Sequence, residues 1–392
     1  MSTFLGFIDE IPGISIDCFD EENLNSSVFF LSHCHYDHMK GLDYKFFNYL
    51  MKTNKFLYCS HISRLILKHT FNLSSDLNKY VKILSLNDSI IINYKYDNIH
   101  HSLKVSSISS GHCPGSIMFL YNLKDKRILY TGDFRINIED FSNLKSLHYI
   151  YNTEFIPLNI DTIYIDTTFF NVDYNFFPSR FSSMKELYIT VKDWIEKDPK
   201  NVVLLEISAL YGSEFIYIEL SKILHKKIHV QDQAYKIYKQ MEILTNCVTD
   251  VSESTPIHAC INKNSWKNTL KLKCRSNINQ KHILTIVLSA KKWIDKNTSC
   301  IIEWDNIRKQ TKNLCYSTHA SYSELKAFLV YFKPQQVIAC VCDKNDRKKI
   351  YDLLSSIIQI IKSGEVYNNR MKLDVLKYKL CTYDLKPAII TD

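Results

Sequence analysis

Short apolar segments separated by polar turns dominate the first 170 residues of the chain. Such segments are typical of buried β-strands when they are rich in β-branched and aromatic residues. We expect residues 1–150 to consist mostly of strands and turns. The individual strands are predicted at 27–32, 103–109, 117–123, 127–131 and 162–166.

A helical pattern begins after Pro178 and the serines that follow it. The apolar residues Leu187, Val191, Trp194 and Ile195 fall on one face of a helix predicted at 183–196. Strands then alternate with helices, which predicts parallel α/β units. The strands are predicted at 201–207, 227–230, 312–317 and 336–342, and the helices at 212–224, 233–246, 322–332 and 344–361.

Length and composition indicate a large protein of α/β type without a membrane span. The 392 residues, of which 46% are apolar, suit two packed domains better than one small core. No apolar run of about 18 residues occurs, and the first residues lack the features of a signal peptide. We therefore expect a cytosolic or nuclear protein. The twelve cysteines form no regular framework, so most are expected to be buried thiols and a few to be metal ligands.

Charge is distributed unevenly along the chain, whose formal net charge is +8. Residues 251–392 carry 24 Lys and Arg against 12 Asp and Glu, whereas residues 1–250 carry 25 against 29. A basic C-terminal third suggests a polyanionic partner such as nucleic acid. The alternative is a lysine-rich surface that only keeps the protein soluble.

Three histidines and one aspartate lie within six positions, in the segment HCHYDH that follows the apolar run 28–31. His33 and His35 alternate along an extended segment, so both side chains are expected to point to one side. Asp37 and His38 follow in a tight loop. Imidazole and carboxylate groups suit zinc and similar divalent ions. A single histidine at a strand end is more often structural, but this spacing indicates a metal site.

Three further candidate ligands also follow or separate apolar strands. His112 lies in the glycine-rich turn GHCPGS, Asp133 in TGDFR and Asp166 in IDTTF. A loop at the end of a strand can present such side chains without burying unpaired charge in a core. Together with the HCHYDH segment, these positions predict one composite metal site.

These segments, in this order, resemble the motifs of the metallo-β-lactamase fold. IDTTF and the later segment YSTHASYSELKAFL resemble the additional motifs of its β-CASP branch, and in particular of the nucleases that process DNA ends. The resemblance extends to about residue 345. It implies an α/β protein with a four-layered αββα metallo-β-lactamase fold and an inserted α/β β-CASP domain. We expect the first part of the metallo-β-lactamase domain at 1–155, the insert at 156–316 and a return segment at 317–392.

The resemblance also implies how the ligands divide between two metal ions. The first ion would be held by His33, His35, His112 and Asp133. The second would be held by Asp37, His38 and Asp133 as a bridge, with Asp166 nearby. The catalytic residues would be Asp37, Asp166 and His319, the last as a proton donor or phosphate contact. Zinc is the expected ion, with Mg²⁺ or Mn²⁺ as an alternative at the second position.

Two cations about 3.5–4 Å apart neutralise a phosphodiester and activate water near neutral pH. By resemblance, the chain is expected to be a metal-dependent DNA nuclease that leaves a 5′-phosphate and a 3′-hydroxyl. Its substrates would be DNA ends, hairpins and junctions in double-strand break repair by non-homologous end joining. We expect an endonuclease with 5′-exonuclease activity, in a nuclear monomer that does not bind membranes. A DNA-dependent protein kinase-type activator is a further expected partner.

A second cluster of candidate ligands lies in the expected insert, at His229, His258, Cys260 and Cys274. Two histidines and two cysteines form a normal tetrahedral zinc set. Their spacing alone is weak, because it is not that of a standard zinc finger, and buried thiols with a surface histidine are the alternative. The resemblance favours a structural zinc site that holds the insert together.

Basic residues interspersed with tryptophan suggest a nucleic-acid surface around the same cluster. Trp266 and Trp293 could stack on bases, while the basic residues contact phosphates without reading sequence. The alternative is an exposed basic loop with core tryptophans. The expected nucleic-acid contacts are Lys263, Trp266, Lys267, Lys271, Lys273, Arg275, Lys291 and Lys292.

Two other functions stay open beside a DNA nuclease. An RNA-processing β-CASP nuclease would share the ligands, although its later motifs differ from those of this chain. A catalytically silent DNA-end scaffold would be expected to have lost ligands, and every expected ligand position is occupied. A small-molecule hydrolase would leave residues 156–316 and the basic third without a role.

Overall fold

The computed structural model describes residues 2–207, 209–260, 272–294, 296, 298, 300–343 and 345–363. The strands in these residues are β1 (Ile14–Ile16), β2 (Val28–Phe30), β3 (Phe56–Cys59), β4 (Val81–Ile83), β5 (Ser89–Tyr96), β6 (Ile99–Ser109), β7 (Ile117–Asn122), β8 (Arg127–Tyr130), β9 (His148–Tyr151), β10 (Glu154–Pro157), β11 (Thr162–Ile165), β12 (Val202–Glu206), β13 (Ile228–Val230), β14 (Val248–Thr249), β15 (Ile257–Ala259), β16 (Ile283–Leu288), β17 (Ile302–Trp304), β18 (Thr311–Leu314) and β19 (Gln336–Ala339). The α-helices are α1 (Tyr44–Thr53), α2 (His61–Thr70), α3 (Ser75–Asn78), α4 (Arg180–Lys197), α5 (Glu214–Leu224), α6 (Asp232–Tyr238), α7 (Glu242–Thr245), α8 (Tyr322–Phe332) and α9 (Arg347–Ser363).

Two sheets pack face to face in the first part of the chain. One has four parallel strands in the order β1-β2-β3-β4. The other has six strands in the order β19-β11-β8-β7-β6-β5, of which β19, β11 and β8 are parallel. Their facing sides bury Ile16 and Phe30 of the first sheet against Phe119, Tyr121 and Tyr130 of the second. Continuous burial on this face explains why these strands are short apolar runs.

Helices cover the outer side of each sheet. Phe47 of α1 and Leu67 of α2 pack on Leu57 of the four-stranded sheet. Phe328 of α8 and Leu354 of α9 belong to the core that covers the six-stranded sheet. The layers are therefore helix, sheet, sheet and helix, which confirms the predicted fold class. No described helix combines the length and the apolar character that a membrane span requires.

The five strands predicted in the first 170 residues are all present, and residues 1–150 also contain three α-helices that the sequence analysis did not predict. Helices α1, α2 and α3 occupy much of 44–78. Each begins at a side-chain cap: Asp43 accepts a hydrogen bond from the backbone N–H of Phe46, and Ser60 accepts one from that of Ser63. Such caps satisfy the free N–H groups of a first turn and so fix where a helix starts.

A seven-stranded sheet forms the inserted part, in the order β14-β13-β15-β12-β16-β18-β17. All neighbouring strands are parallel except the edge pair β17 and β18. The helix predicted at 233–246 is divided into α6 and α7. The backbone N–H groups of Gln240 and Met241 bond to carbonyls three residues back, and these tight turns interrupt the helix.

Strand pairing bears on where the inserted domain begins. β11 lies between β8 and β19 in the six-stranded sheet, although 156–316 was assigned to the insert. We propose that the first boundary lies after Ile165 rather than at 155. The second boundary at 316 stays a proposal. Residues 364–392 of the expected return segment lie outside the described residues.

Candidate metal centres

The candidate ligands lie where strands of the two facing sheets end. His33 follows β2, Asp133 follows β8 and Asp166 follows β11, while His112 lies in the turn between β6 and β7. β8 and β11 are parallel neighbours, so the residues that follow them lie at one edge of the sheet. Gly132, at a φ of +52°, lets the chain approach the four-stranded sheet, because a Cβ there would lie 2.8 Å from Ser32 Oγ.

The first group brings together His33, His35, His112 and Asp133. One ligand atom from each lies within 4.8 Å of the others. Asp133 Oδ2 is 3.5 Å from His33 Nε2 and 3.5 Å from His112 Nε2. The imidazole of His35 presents its Nδ1, which is 3.0 Å from His112 Nε2. Three imidazoles and one carboxylate therefore converge on a single point, as in a zinc site.

Hydrogen bonds on the far side of each ring leave lone pairs facing this point. His35 Nε2 donates to the carbonyl of Tyr211 at 2.9 Å, and His112 Nδ1 donates to that of Thr318 at 2.9 Å. His33 Nδ1 lies 3.0 Å from Ser32 Oγ, whereas its Nε2 is buried and has no hydrogen-bond partner among the described residues. Unprotonated ring nitrogens that face one another in a buried space can bind a cation, because no hydrogen-bond donor of the protein occupies the space between them.

Burial also keeps two of these rings neutral. Burial, together with the neighbouring His33, lowers the pKa of His35 to about 3. Burial and His319 hold the pKa of His112 well below its usual range. Neutral imidazole is the form that binds a metal, so both rings are ready ligands at neutral pH.

The second group contains Asp133, Asp166 and His319. His319 Nδ1 lies 2.8 Å from Asp166 Oδ2, and its Nε2 lies 3.9 Å from Asp133 Oδ2. His38 Nε2 lies 3.2 Å from the other oxygen of Asp133. Asp133 therefore takes part in both groups. Burial alone raises its pKa, but His38 and His319 outweigh burial and hold the pKa of Asp133 well below its usual range.

Asp37 lies at the edge of this arrangement. Its Oδ2 accepts a hydrogen bond from the backbone N–H of Ser2 at 2.9 Å. The pKa of Asp37 is lowered, because His38 and Ser2 outweigh the opposing effect of burial. The assignment of Asp37 to the second ion, together with His38 and Asp166, stays a prediction.

The loop that carries His319 is fixed by Arg135, the last residue of the TGDFR segment. Its guanidinium is buried, donates to the carbonyl of Ser317 at 3.0 Å and pairs with Glu324 at 3.1 Å. The N–H of Ala320 also donates to the carbonyl of Phe134 at 2.9 Å. The backbone on both sides of His319 is thus fixed, which holds its imidazole beside Asp133 and Asp166.

Asp17 is a buried residue of this site that the sequence analysis missed. Its Oδ2 accepts hydrogen bonds from His38 Nδ1 at 2.8 Å and from the hydroxyl of Tyr130 at 2.9 Å. Ser32 donates to it through both its backbone N–H and its hydroxyl. The hydrogen bond from His38 Nδ1 to Asp17 fixes the orientation of the ring, and His38 Nε2 therefore faces Asp133. Its signal was an aspartate at the end of the apolar strand ISI, like those at 133 and 166.

Asp17→Asn is expected to weaken metal binding without removing a ligand. An amide nitrogen would face the hydroxyl and imidazole donors that the carboxylate now accepts. Loss of such a supporting contact costs about 10- to 100-fold in metal affinity. Titration of the metal-free protein with Zn²⁺ measures the change. Asp20→Asn is the matched control, because Asp20 pairs with Lys40 at the surface. Unchanged zinc affinity in the Asp17 variant would show that Asp17 has no such role.

A separate group in the insert contains His229, His258, Cys260 and Cys274, with ligand atoms within 4.8 Å of one another. β13 and β15 are adjacent parallel strands and pair His229 directly with His258. The two Nδ1 atoms are 3.2 Å apart, and the two Sγ atoms are 3.4 Å apart. Cys260 and the two imidazoles hold the pKa of Cys274 well below its usual range. A thiolate beside a thiol and two imidazoles fits tetrahedral zinc.

The expected nucleic-acid contacts are placed only in part. Lys263, Trp266, Lys267 and Lys271 lie outside the described residues. Lys273 and Arg275 flank Cys274 in one turn of 3₁₀ helix, and Lys291 is exposed.

Two residues of the 3₁₀ turn Lys291–Trp293, both considered for DNA contacts, make contacts within the protein. Lys292 Nζ lies 2.6 Å from Asp305 Oδ2 and 2.7 Å from Asn313 Oδ1, so its ammonium is already bound within the protein. Trp293 is buried and its indole N–H donates to the carbonyl of Cys300, so it cannot stack on a base. Spacing along the chain did not reveal this burial.

Comparison with known proteins agrees with the geometry. A family model described as DNA repair metallo-beta-lactamase matches residues 242–345. Protein artemis of Danio rerio is 34% identical over 349 residues, which cover 86% of this chain and 53% of that protein. These similarities support an Artemis-like protein of the metallo-β-lactamase/β-CASP type.

Two further relatives extend the comparison. Protein artemis of Homo sapiens is 33% identical over 351 residues, which cover 85% of this chain and 48% of that protein. The DNA cross-link repair 1A protein of Homo sapiens is 27% identical over 351 residues, which cover 86% and 30%. The chain thus spans about half the length of the Artemis relatives. Family and geometry agree on His and Asp groups that can hold metal ions.

Proposed function

We propose that the chain is a metal-dependent DNA nuclease of double-strand break repair by non-homologous end joining. Its substrates would be DNA ends, hairpins and single-strand to double-strand junctions, cut with endonuclease and 5′-exonuclease activity to a 5′-phosphate and a 3′-hydroxyl. The observation that carries the proposal is the shared carboxylate of Asp133. One of its oxygens faces the first group and the other faces His38 at 3.2 Å.

The first group suits zinc, since three of its four ligands are imidazoles. The second group is richer in carboxylate, which also suits Mg²⁺ or Mn²⁺. Bound metal ions supply positive charge against the phosphate and lower the pKa of water. The protein contributes the spacing, because one buried aspartate connects the two groups and hydrogen bonds fix every ring.

His319 is the residue that we propose as proton donor to the leaving oxygen. Its side chain is 22% exposed, whereas that of Asp166, which holds it at 2.8 Å, is 2% exposed. Burial alone lowers the pKa of His319, but the carboxylates of Asp166 and Asp133 outweigh burial and raise it. A protonated imidazole at the open side of the site can donate to an oxygen or contact a phosphate.

An exposed aromatic side chain at the site and the basic C-terminal part of the chain support a nucleic-acid substrate. Tyr36 is 90% exposed between the ligands His35 and Asp37, where its ring is open to a base. The basic side chains of Lys273, Arg275 and Lys291 belong to the C-terminal part that carries the positive charge. By the same resemblance we propose a nuclear monomer with a DNA-dependent protein kinase-type activator as partner.

One digestion tests the proposed activity. The purified chain with a divalent metal is given a closed DNA hairpin, a 5′-phosphorylated single strand and a matched RNA, beside the Asp133→Asn variant. We expect metal-dependent cutting of DNA that the variant lacks, with hairpin nicking as the endonuclease activity. Cutting of RNA alone would favour the RNA-processing alternative. No cutting of any substrate by a chain that has taken up metal would favour the scaffold.

A further inference from the structure

A backbone group of the inserted domain touches a ligand of the first metal group. Tyr211 lies in the connection between β12 and α5, and its carbonyl accepts the Nε2–H of His35 at 2.9 Å. This hydrogen bond fixes which nitrogen of the ring carries the proton, so that Nδ1 is free to face the metal. The ring that follows β2 is therefore oriented by a different part of the chain.

A buried carboxylate holds this connection in place. Glu214 is 2% exposed, and its two oxygens accept hydrogen bonds from the N–H of Gly212 at 2.7 Å and from the hydroxyl of Tyr238 at 2.5 Å. The Tyr238 hydroxyl also lies 3.2 Å from the carbonyl of Leu210. The residues on either side of Tyr211 are thus connected to Tyr238 of α6. Leu210 contacts the Tyr238 hydroxyl directly, and Gly212 is connected to it through Glu214.

Burying this carboxylate is costly for the protein. Among the described ion pairs, none involves Glu214, and burial raises the pKa of Glu214 although its hydrogen bonds oppose the rise. A carboxylate buried without a basic partner lowers the stability of a fold, so its presence points to a role other than stability. The hydrogen-bonded geometry around Tyr211 provides one.

The backbone of the same connection is also specialised. Gly212 has a φ of +116°, which side chains with a Cβ rarely adopt. A Cβ there would lie 3.8 Å from Thr318 Cγ2 and 4.0 Å from His35 Cε1. Thr318 supplies the carbonyl that orients His112. The connection between β12 and α5 therefore lies beside the two carbonyls, of Tyr211 and Thr318, that orient His35 and His112.

We propose that Glu214 is a positioning residue for the first metal group. It holds the Tyr211 carbonyl against His35, so that the inserted domain sets the metal affinity of a site whose ligands all come from outside it. The inference rests on the first group being a metal site and does not depend on which nucleic acid is cut.

Titration of the metal-free full chain with Co²⁺ tests this role. Cobalt bound by His and Asp ligands absorbs in the visible range, and its bands differ from the thiolate bands of a site with two cysteines. We expect Glu214→Gln to weaken cobalt binding at the first group by about 10- to 100-fold, the usual effect of losing a supporting contact. The thiolate bands should stay as in the unmodified chain. Gln keeps the size of the side chain but turns one acceptor into a donor.

Two further variants separate positioning from stability. Tyr238→Phe removes one hydrogen bond to Glu214 and should shift cobalt binding in the same direction by a smaller factor. Glu242→Gln makes the same substitution at an exposed position on α7 and should change nothing. If folded Glu214→Gln and Tyr238→Phe proteins bind cobalt at the first group with unchanged affinity and bands, the proposal is wrong. Should Glu214→Gln fail to fold, Tyr238→Phe decides alone.

Discussion

Asp133→Asn is expected to reduce cleavage by at least about 10³-fold, since the loss of several kcal/mol of transition-state stabilisation corresponds to this factor. The carboxylate of Asp133 is shared by the two groups of candidate ligands. An amide would supply one neutral oxygen where two charged ones now face His33, His112 and His38. Both groups should therefore lose metal together. Rates under saturating substrate and metal content per chain measure the two effects.

A matched substitution separates this effect from a general loss of charge. Asp125 lies in the exposed turn before β8, and Asp133 follows the other end of that strand, so the control is Asp125→Asn. It should leave both rate and metal content unchanged. An Asp133→Asn protein that keeps full metal content but loses activity would restrict the residue to a catalytic role. A variant that cleaves at the original rate would remove the shared carboxylate from the mechanism.

The group of candidate ligands could be predicted because its signal is local. A buried strand makes a short apolar run, and the side chains that follow it stand out at once. His33, Asp133 and Asp166 each follow such a run, and the structure brings all three to one edge of the facing sheets. The α/β character could be predicted because continuous apolar strands and periodic helices are separately visible in the sequence. The four-layered arrangement was implied by the resemblance of the motifs.

Contacts that orient the ligands could not be predicted, because they depend on pairing between distant segments. Asp17 reaches His38 since β1 and β2 are parallel neighbours that place Ile16 opposite Phe30. The partner of His35 is a backbone carbonyl at Tyr211, and a carbonyl has no signature in the side-chain sequence.

Burial of individual basic and aromatic residues was equally hidden. Lys292 and Trp293 were considered for DNA contacts because basic residues there are interspersed with tryptophan, yet one pairs with Asp305 and the other fills a core beside Phe177. Helices α1 and α2 were missed because each is only 10 residues long and its apolar residues are mixed with polar and charged ones. Capping by Asp43 and Ser60 defines their starts more clearly than periodicity does.

Cys274→Ser is expected to remove one zinc ion per chain and to lower the melting temperature. The four residues of this group are protein side chains on three separate segments, and a bound zinc ion would connect β13, β15 and the turn around Cys274. Binding energy at a structural site of this kind is folding energy. Loss of about 3 kcal/mol in a domain of this size lowers the melting temperature by about 6–12 °C. Calorimetry and metal analysis measure the two changes.

Cys300→Ser gives the control, because Cys300 is an exposed thiol outside the group and its replacement should alter neither zinc content nor melting temperature. A strong chelator should lower the melting temperature of the Cys300 variant more than that of the Cys274 variant, since the latter has already lost the structural ion. If both variants contain the same amount of zinc and melt together, the group is a cluster of buried thiols and histidines. The stability of the insert then rests on its seven-stranded sheet and apolar core, and zinc contributes nothing to it.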